Sequence, residues 1–250
     1  MIMGDGIRFE HVSFHYPGKP SVLTDIHLTI TPGTFLGITG VNGSGKSTLT
    51  YLTNALIPHS IPGTLTGSVT VDGVPTKEKS VGYFSRIVGM VFQNPDFSLF
   101  NLTVAEEIGF GLQNLNGKVD HKRLCDALEL VGLGGFASRD PQTLSFGEKQ
   151  KVCLASTLAL DVSYIILDEP TAMLDYKSSQ ELYKLLGSLH AKGKTIITVE
   201  HDTDFLWDYT GETLILDNGK VASFGKTRDV LSRRRLLSSL GIKKPGAVRL

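Results

Sequence analysis

The sequence predicts an α/β fold with a helical insertion, and three observations predict it. Two continuous β-branched runs, YIILD at 164–168 and TIITVE at 195–200, have the all-apolar pattern of strands covered on both faces. A glycine-rich segment at 40–47 lies between a short apolar strand and a helix, as phosphate-binding turns do. From about 101 to 160 the strand signal nearly vanishes and apolar residues return at helical spacing.

Taken in order, IRFEHV (7–12) alternates as a half-buried strand. FLGITG (35–40) is a short strand stopped by glycines, and 46–56 reads as a helix. SVTVDG (68–73) runs into a turn and IVGMVFQ (87–93) is another apolar strand. In the middle, Leu124, Ala127, Leu128 and Val131 share a helical face, and 145–160 carries Val152, Ala155, Ser156 and Ala159 on one stripe. LILDNGK (214–220) is a hairpin with an Asn-Gly turn. Residues 227–240 are a last helix candidate, with Pro245 after it.

Lys+Arg and Asp+Glu both number 25, so the formal net charge is zero and gives no support to nucleic-acid binding. Residues 221–250 nonetheless hold eight basic residues (Lys226, Arg228, Arg233, Arg234, Arg235, Lys243, Lys244, Arg249) against Asp229. This is either a solvated helical tail or a contact for an anionic membrane surface or an acidic partner. The two cysteines, Cys125 and Cys153, sit in helix-like apolar stretches and read as buried, reduced thiols without disulfide or metal spacing. MIMGDGIRFE lacks the basic and apolar regions of a signal peptide, and no apolar run reaches the roughly 18 residues that span a bilayer. The expectation is a subunit that serves a membrane, if at all, from its surface.

GVNGSGKS (40–47) matches G-x-x-x-x-G-K-[ST]. Gly43 and Gly45 let the backbone wrap phosphate oxygens, N–H groups point inward, and the helix dipole backs them. Lys46 is expected at the β- and γ-phosphates and Ser47 on magnesium. YIILDEP (164–170) ends a buried strand in Asp168, a candidate magnesium holder, and then Glu169, a candidate general base for the attacking water. Together the two motifs read as a P-loop nucleotide hydrolase.

LSFGEKQ (144–150), ahead of a helix, resembles the LSGGQ signature of ATP-binding cassette (ABC) ATPases. Ser145 and Gly147 match; Phe146 replaces a glycine, at a cost in backbone freedom, and Glu148 replaces glutamine. A plain helix cap with Ser145 as N-cap is the other reading. Gln93 resembles the Q-loop glutamine, Asp175 in TAMLD the D-loop (with Met173 for its glycine), and His201 the switch histidine, although a lone His after a strand is often structural. Tyr16 in FHYPG resembles the residue that stacks on adenine, or is a structural tyrosine of the first hairpin.

The motifs follow one another in the family's order over nearly the whole chain. The resemblance implies a P-loop NTPase core with an antiparallel β subdomain at 1–225, a helical subdomain at about 95–160, and a C-terminal helical extension at 226–250. It implies ATP and Mg2+ as ligands. Gly40, Val41, Asn42, Gly43, Ser44, Gly45, Lys46, Ser47, Thr48 and Tyr16 would bind ATP. Ser47, Gln93 and Asp168 would hold the metal, and Glu169, His201 and Gln93 would act in hydrolysis. Leu144, Ser145, Phe146, Gly147 and Glu148 would act across a head-to-tail dimer, with Asp175 in the D-loop.

The segment VFQNPDFSLFNLTVAEEIGFGLQNLN (91–116) and the tail GKTRDVLS…LLSSLGIKKP look most like the ATPases of energy-coupling factor (ECF) importers, including cobalt and nickel importers. Pro95, Phe97, Leu99 and Phe100 either pack internally or line a groove for a partner's coupling helix. The implied partners are a second ATPase subunit, identical or related, a multi-span membrane coupling protein and a membrane substrate-capture protein. The implied location is the cytoplasmic face of the membrane and the implied cargo a vitamin or transition-metal ion. A soluble ABC ATPase of iron–sulfur assembly or another non-transport role is the alternative. DNA-repair members carry a long coiled-coil insertion and translation factors a second cassette, and this sequence shows neither.

Overall fold

The computed structural model describes residues 4–246. Arg249 of the basic tail, the rest of 247–250 and the first three residues of the N-terminal stretch lie outside the described residues. Strands run β1 Ile7–His15, β2 Ser21–Ile30, β3 Phe35–Thr39, β4 Thr64–Val71, β5 Val74–Pro75, β6 Val88–Val91, β7 Tyr164–Asp168, β8 Thr195–Val199, β9 Glu212–Asp217 and β10 Lys220–Lys226. Helices run α1 Lys46–Thr53, α2 Leu56–His59, α3 Val81–Phe84, α4 Val104–Asn116, α5 His121–Leu130, α6 Phe146–Ala159, α7 Tyr176–Ala191, α8 Thr203–Tyr209, α9 Thr227–Leu231 and α10 Arg234–Ser239.

Two sheets organise these elements. β2-β1-β4-β5 is antiparallel, and β10-β9-β3-β8-β7-β6 is parallel apart from the β9–β10 hairpin. The β-branched runs lie where both faces are covered. In β7, Tyr164 and Ile166 join the core under the antiparallel sheet and α1, while Ile165 and Leu167 join the core under the helical insertion. Period-two alternation thus feeds two hydrophobic cores at once.

Several elements differ from the sequence reading. The helix expected over 46–56 stops at Thr53, because Ala55 takes the left-handed backbone (φ 61°) and α2 restarts after it. The 227–240 helix is broken in two at Ser232–Arg233. Cys125 is exposed on α5, whereas Cys153 is buried as expected and burial pushes its thiol up to about 12. The Asn218-Gly219 hairpin forms as read, with both turn residues at positive φ (45° and 74°), the combination a tight two-residue turn demands.

Basic residues of the tail are partly taken up inside the molecule. Arg228 stacks 4.1 Å over the Trp207 ring, Arg233 donates to Ser223, and Lys243 pairs with Asp202 and Asp204 at 2.9 and 2.8 Å. Among the described residues, no helix is long and apolar enough to cross a membrane.

Candidate functional site

The C-terminal ends of β3, β6, β7 and β8 converge, as parallel sheets require, on one edge where ligands bind. Chain leaving β3 turns at Gly40, whose φ of 149° and position make glycine obligatory: a Cβ there would lie 2.1 Å from the Leu216 carbonyl oxygen. The loop ends at Gly45 (φ 102°), the N-cap of α1, where a Cβ would meet Leu23 at 2.7 Å. The β9–β10 turn braces it from behind, with Gly219 N–H donating to the Ser44 carbonyl and Thr24 N–H to the Gly219 carbonyl. Val41, Asn42 and Gly43 form the open rim, Ser44, Gly45, Lys46 and Thr48 are buried, and Ser47 is half-buried.

Lys46 Nζ donates to the carbonyls of Gly40 and Val41 at 2.9 and 3.1 Å, so its charge spans the loop interior. Burial lowers its pKa, while Glu169 and Asp168 oppose that shift. Asp168 is 5% exposed and its pKa is raised, first by burial; hydrogen bonding from Ser47 and the Lys46 charge work the other way. Two polar atoms here are buried without a hydrogen-bond partner among the described residues: Asp168 Oδ1 and Ser44 Oγ. Orphans of this kind cost about 1–3 kcal/mol each unless a ligand satisfies them.

Glu169 follows at φ 48°, a left-handed conformation that a non-glycine residue holds only under constraint. Its two carboxylate oxygens are both engaged. Gln93 Nε2 donates to Oε2 at 2.7 Å, and His201 Nε2 lies 2.9 Å from Oε1. The three residues expected to act in hydrolysis are thus brought together from the ends of β6, β7 and β8. Tyr16 stands beside the loop, its hydroxyl 2.9 Å from Thr48 Oγ1 and its ring edge-on to Phe14 at 4.9 Å.

Ser145 caps α6. Its N–H and its hydroxyl each donate to Glu148 Oε2 at 2.8 Å, and these bonds, the backbone one first, lower the Glu148 pKa. Glu148 therefore works as the second half of a capping box. Phe146 has no positive φ, so the glycine it replaces is not needed for the backbone here. Leu144 turns into the helical core, Ser145 is exposed, and Phe146, Gly147 and Glu148 are half-buried. Asp175 caps α7 by accepting from Ser178 N–H at 2.7 Å. Pro95 and Leu99 pack internally, whereas Phe97 and Phe100 are 88% and 64% exposed.

Sequence reasoning missed Glu200. It ends the β8 run, and its burial (3% exposed) is set by tertiary packing that a strand pattern does not report. Its carboxylate accepts from Thr171 Oγ1 at 2.6 Å and from His201 N–H at 3.2 Å, with Asp202 N–H and the Tyr183 hydroxyl completing the set.

A family model described as ABC transporter matches residues 23–172. The chain belongs to the ABC transporter family. It is 43% identical over 248 residues to a protein named as an ABC transporter ATP-binding protein in Pyrococcus abyssi, covering 98% of this chain and 89% of that one. A protein of the same name in Pyrococcus horikoshii is 44% identical over 248 residues, covering 98% and 87%. Among solved structures, cbiO1 from Clostridium perfringens, described as part of the ABC transporter complex cbiONQ, superposes with a TM-score of 0.81 at 29% identity over 95% of both chains. The dimeric ATP-binding cassette MJ0796 in a post-hydrolysis state with ADP and Pi gives 0.77 at 29% identity, covering 89% of this chain and 99% of that one. The fold is that of an ABC ATPase, and the chain is the ATP-binding subunit of an ABC transporter.

Burial pushes the Glu200 carboxyl up to about 7 against the donors that stabilise its charge. The folded ABC subunit therefore holds that proton more tightly than the unfolded chain does. The Glu200 contribution to stability is fullest below the ordinary value of 4.5 and falls as pH rises toward about 7. Relative to Glu200→Gln, the parent should lose on the order of 3 kcal/mol across that window. Urea unfolding of both proteins at the two ends checks this; parallel pH profiles contradict it.

Proposed function

We propose that this chain is the ATP-hydrolysing subunit of an energy-coupling factor importer, drawing a vitamin or transition-metal ion through membrane partners from the cytoplasmic face. In this reading residues 1–225 are the ATPase domain, about 95–160 its helical subdomain and 226–250 an extension.

One observation carries the reading. A groove of about 350 Å³ opens beside β6 and α4, rimmed by exposed Phe100 and Phe110 and floored by Met90, Leu99 and Thr157. The segment 93–101, which supplies Ser98, Leu99 and Phe100 to its wall, runs back to the hydrolytic residues. Gln93 at one end of the segment bonds Glu169, and Asp96 in its middle pairs with Lys149 of α6 at 2.6 Å. Buried Glu107 fixes the far end by accepting from Phe100 N–H and Asn101 N–H, both at 3.0 Å. A partner helix seated there would feel movement at Glu169 and at the Ser145 helix together. The likeness to cbiO1 supports an importer of this kind.

The residues divide the chemistry as follows. Loop amides at 40–48 and Lys46 hold the triphosphate and offset charge on the γ-phosphate, with Tyr16 against adenine. The orphaned Asp168 Oδ1 beside Ser47, both at the loop, is a donor set that suits a hard oxygen-seeking cation. Ser47 and Asp168, with Gln93, would hold magnesium, which when bound neutralises charge between the β- and γ-phosphates. Glu169, held by Gln93 and His201, accepts the proton of the attacking water. Ser145 and the α6 N-terminus of a second ATPase subunit close over the γ-phosphate, with Gly147 and Asp175 at that interface. ATP thereby favours the closed dimer, and loss of phosphate releases it.

Glu169→Gln should retain ATP binding, lose turnover by about a hundredfold or more, and elute as a dimer with MgATP. A parental rate would remove Glu169 from the base role. Phe97→Ser with Phe100→Ser should abolish co-purification with an integral membrane protein while leaving the isolated subunit's fold intact. Recovery of the parent from the soluble fraction alone, without membrane partners, would favour the iron–sulfur assembly alternative.

A further inference from the structure

Two loops bring the hydrolytic side chains together, and their backbones meet where Glu169 N–H donates to the Val199 carbonyl at 3.0 Å. Glu169 begins a tight turn in which Ala172 N–H returns to the Glu169 carbonyl and Leu174 N–H to the Thr171 carbonyl. The turn starts from a left-handed residue (φ 48°), a conformation that persists only when its surroundings over-determine it. His201 lies in the loop between β8 and α8, its ring exposed at the cleft. Beyond that backbone bond, one buried side chain, Glu200, bonds to both loops. One oxygen of Glu200 takes the Thr171 hydroxyl, two residues beyond Glu169, at 2.6 Å; the other takes the His201 N–H at 3.2 Å. Glu200 itself is fixed, since its N–H donates to the Ile38 carbonyl of β3 at 2.9 Å and its side chain is 3% exposed.

We propose that Glu200 is a positioning residue for ATP hydrolysis: its carboxylate clamps the Glu169 turn to the His201 loop and so holds Glu169 Oε1 and His201 Nε2 at 2.9 Å. The proposal rests on the assignment of Glu169 and His201 as the hydrolytic pair. Glu200 acts through other residues, since its carboxylate oxygens are taken by Thr171 and His201. Its effect is geometric, and the geometry of a proton acceptor is steeply linked to rate. A glutamine can replace it in part, because its oxygen can accept from the His201 N–H while its amide donates to the Thr171 hydroxyl, which also accepts.

The test compares Glu200→Ala, Glu200→Gln and Thr171→Val in the full chain, measuring steady-state ATP hydrolysis and the affinity for a fluorescent ATP analogue. Glu200→Ala should lower kcat by about tenfold or more while KM and analogue affinity stay within about threefold, and Glu200→Gln should restore most of the rate. Thr171→Val removes one hydroxyl at the partly exposed end of the clamp and should lower kcat alone by about threefold; it keeps the test decisive if the alanine variant fails to fold. A parental kcat in both Glu200→Ala and Thr171→Val overturns the proposal, as does a Glu200→Gln variant as slow as Glu200→Ala. Glu169→Gln is the control: a parental rate in that variant sinks the hydrolytic assignment itself, whereas a dead control beside unaffected Glu200 and Thr171 variants sinks the clamp alone.

Discussion

Lys46 and Asp168 oppose each other at the edge of the parallel sheet, each 5% exposed, and neither is comfortable there. Burial pulls the lysine pKa down and pushes the aspartate pKa up, and each charge partly corrects the other. The balance is incomplete without a ligand, since Asp168 Oδ1 and Ser44 Oγ have no partner among the described residues. In the function proposed, a polyphosphate with its cation would supply what both lack. The rest of the molecule keeps this unfinished charge arrangement in place. The hairpin turn braces the loop, β2 packs against Gly45, and two hydrophobic cores clamp β7 from either face.

From that edge, one chain of contacts runs outward to the groove. Gln93 meets Glu169, the segment beyond it is pinned by Lys149 and Glu107, and Phe97 and Phe100 emerge into solvent at its end. Singly exposed apolar residues are ordinary, but large aromatic side chains fixed by buried anchors beside a groove fit the partner surface proposed. In the function proposed, the groove and Glu169 are joined by this run of contacts, as an ATPase acting through membrane partners would use.

Much of this was legible in the residues. β7 and β8 declare themselves as continuous apolar runs because both faces are buried, and β8 needs only one residue trimmed. The loop at 40–47, the cap at Ser145 and the Asn-Gly hairpin are local chemistry and survive translation into structure unchanged. What stayed hidden depends on partners far away in sequence. β2 carries a left-handed Asp25 and irregular pairing with β1, which blurs its alternation. The breaks at Ala55 and at Ser232–Arg233 come from backbone turns inside otherwise helix-compatible stretches. Of the apolar residues after Gln93, Pro95 and Leu99 went inside while Phe97 and Phe100 did not, a choice that composition does not encode. Glu200 reads in sequence as the polar end of a strand; only the approach of Thr171 from 29 positions away makes it a clamp.

In the function proposed, the loop at 40–47 is a cradle for polyphosphate whose charge is matched by Lys46. Calorimetric titration of MgATP into the parent and into Lys46→Ala tests it most directly. The variant should keep its fold, judged by thermal unfolding without nucleotide, and lose at least about tenfold in affinity, equivalent to roughly 1.4 kcal/mol or more. Equal affinities in two folded proteins would contradict it.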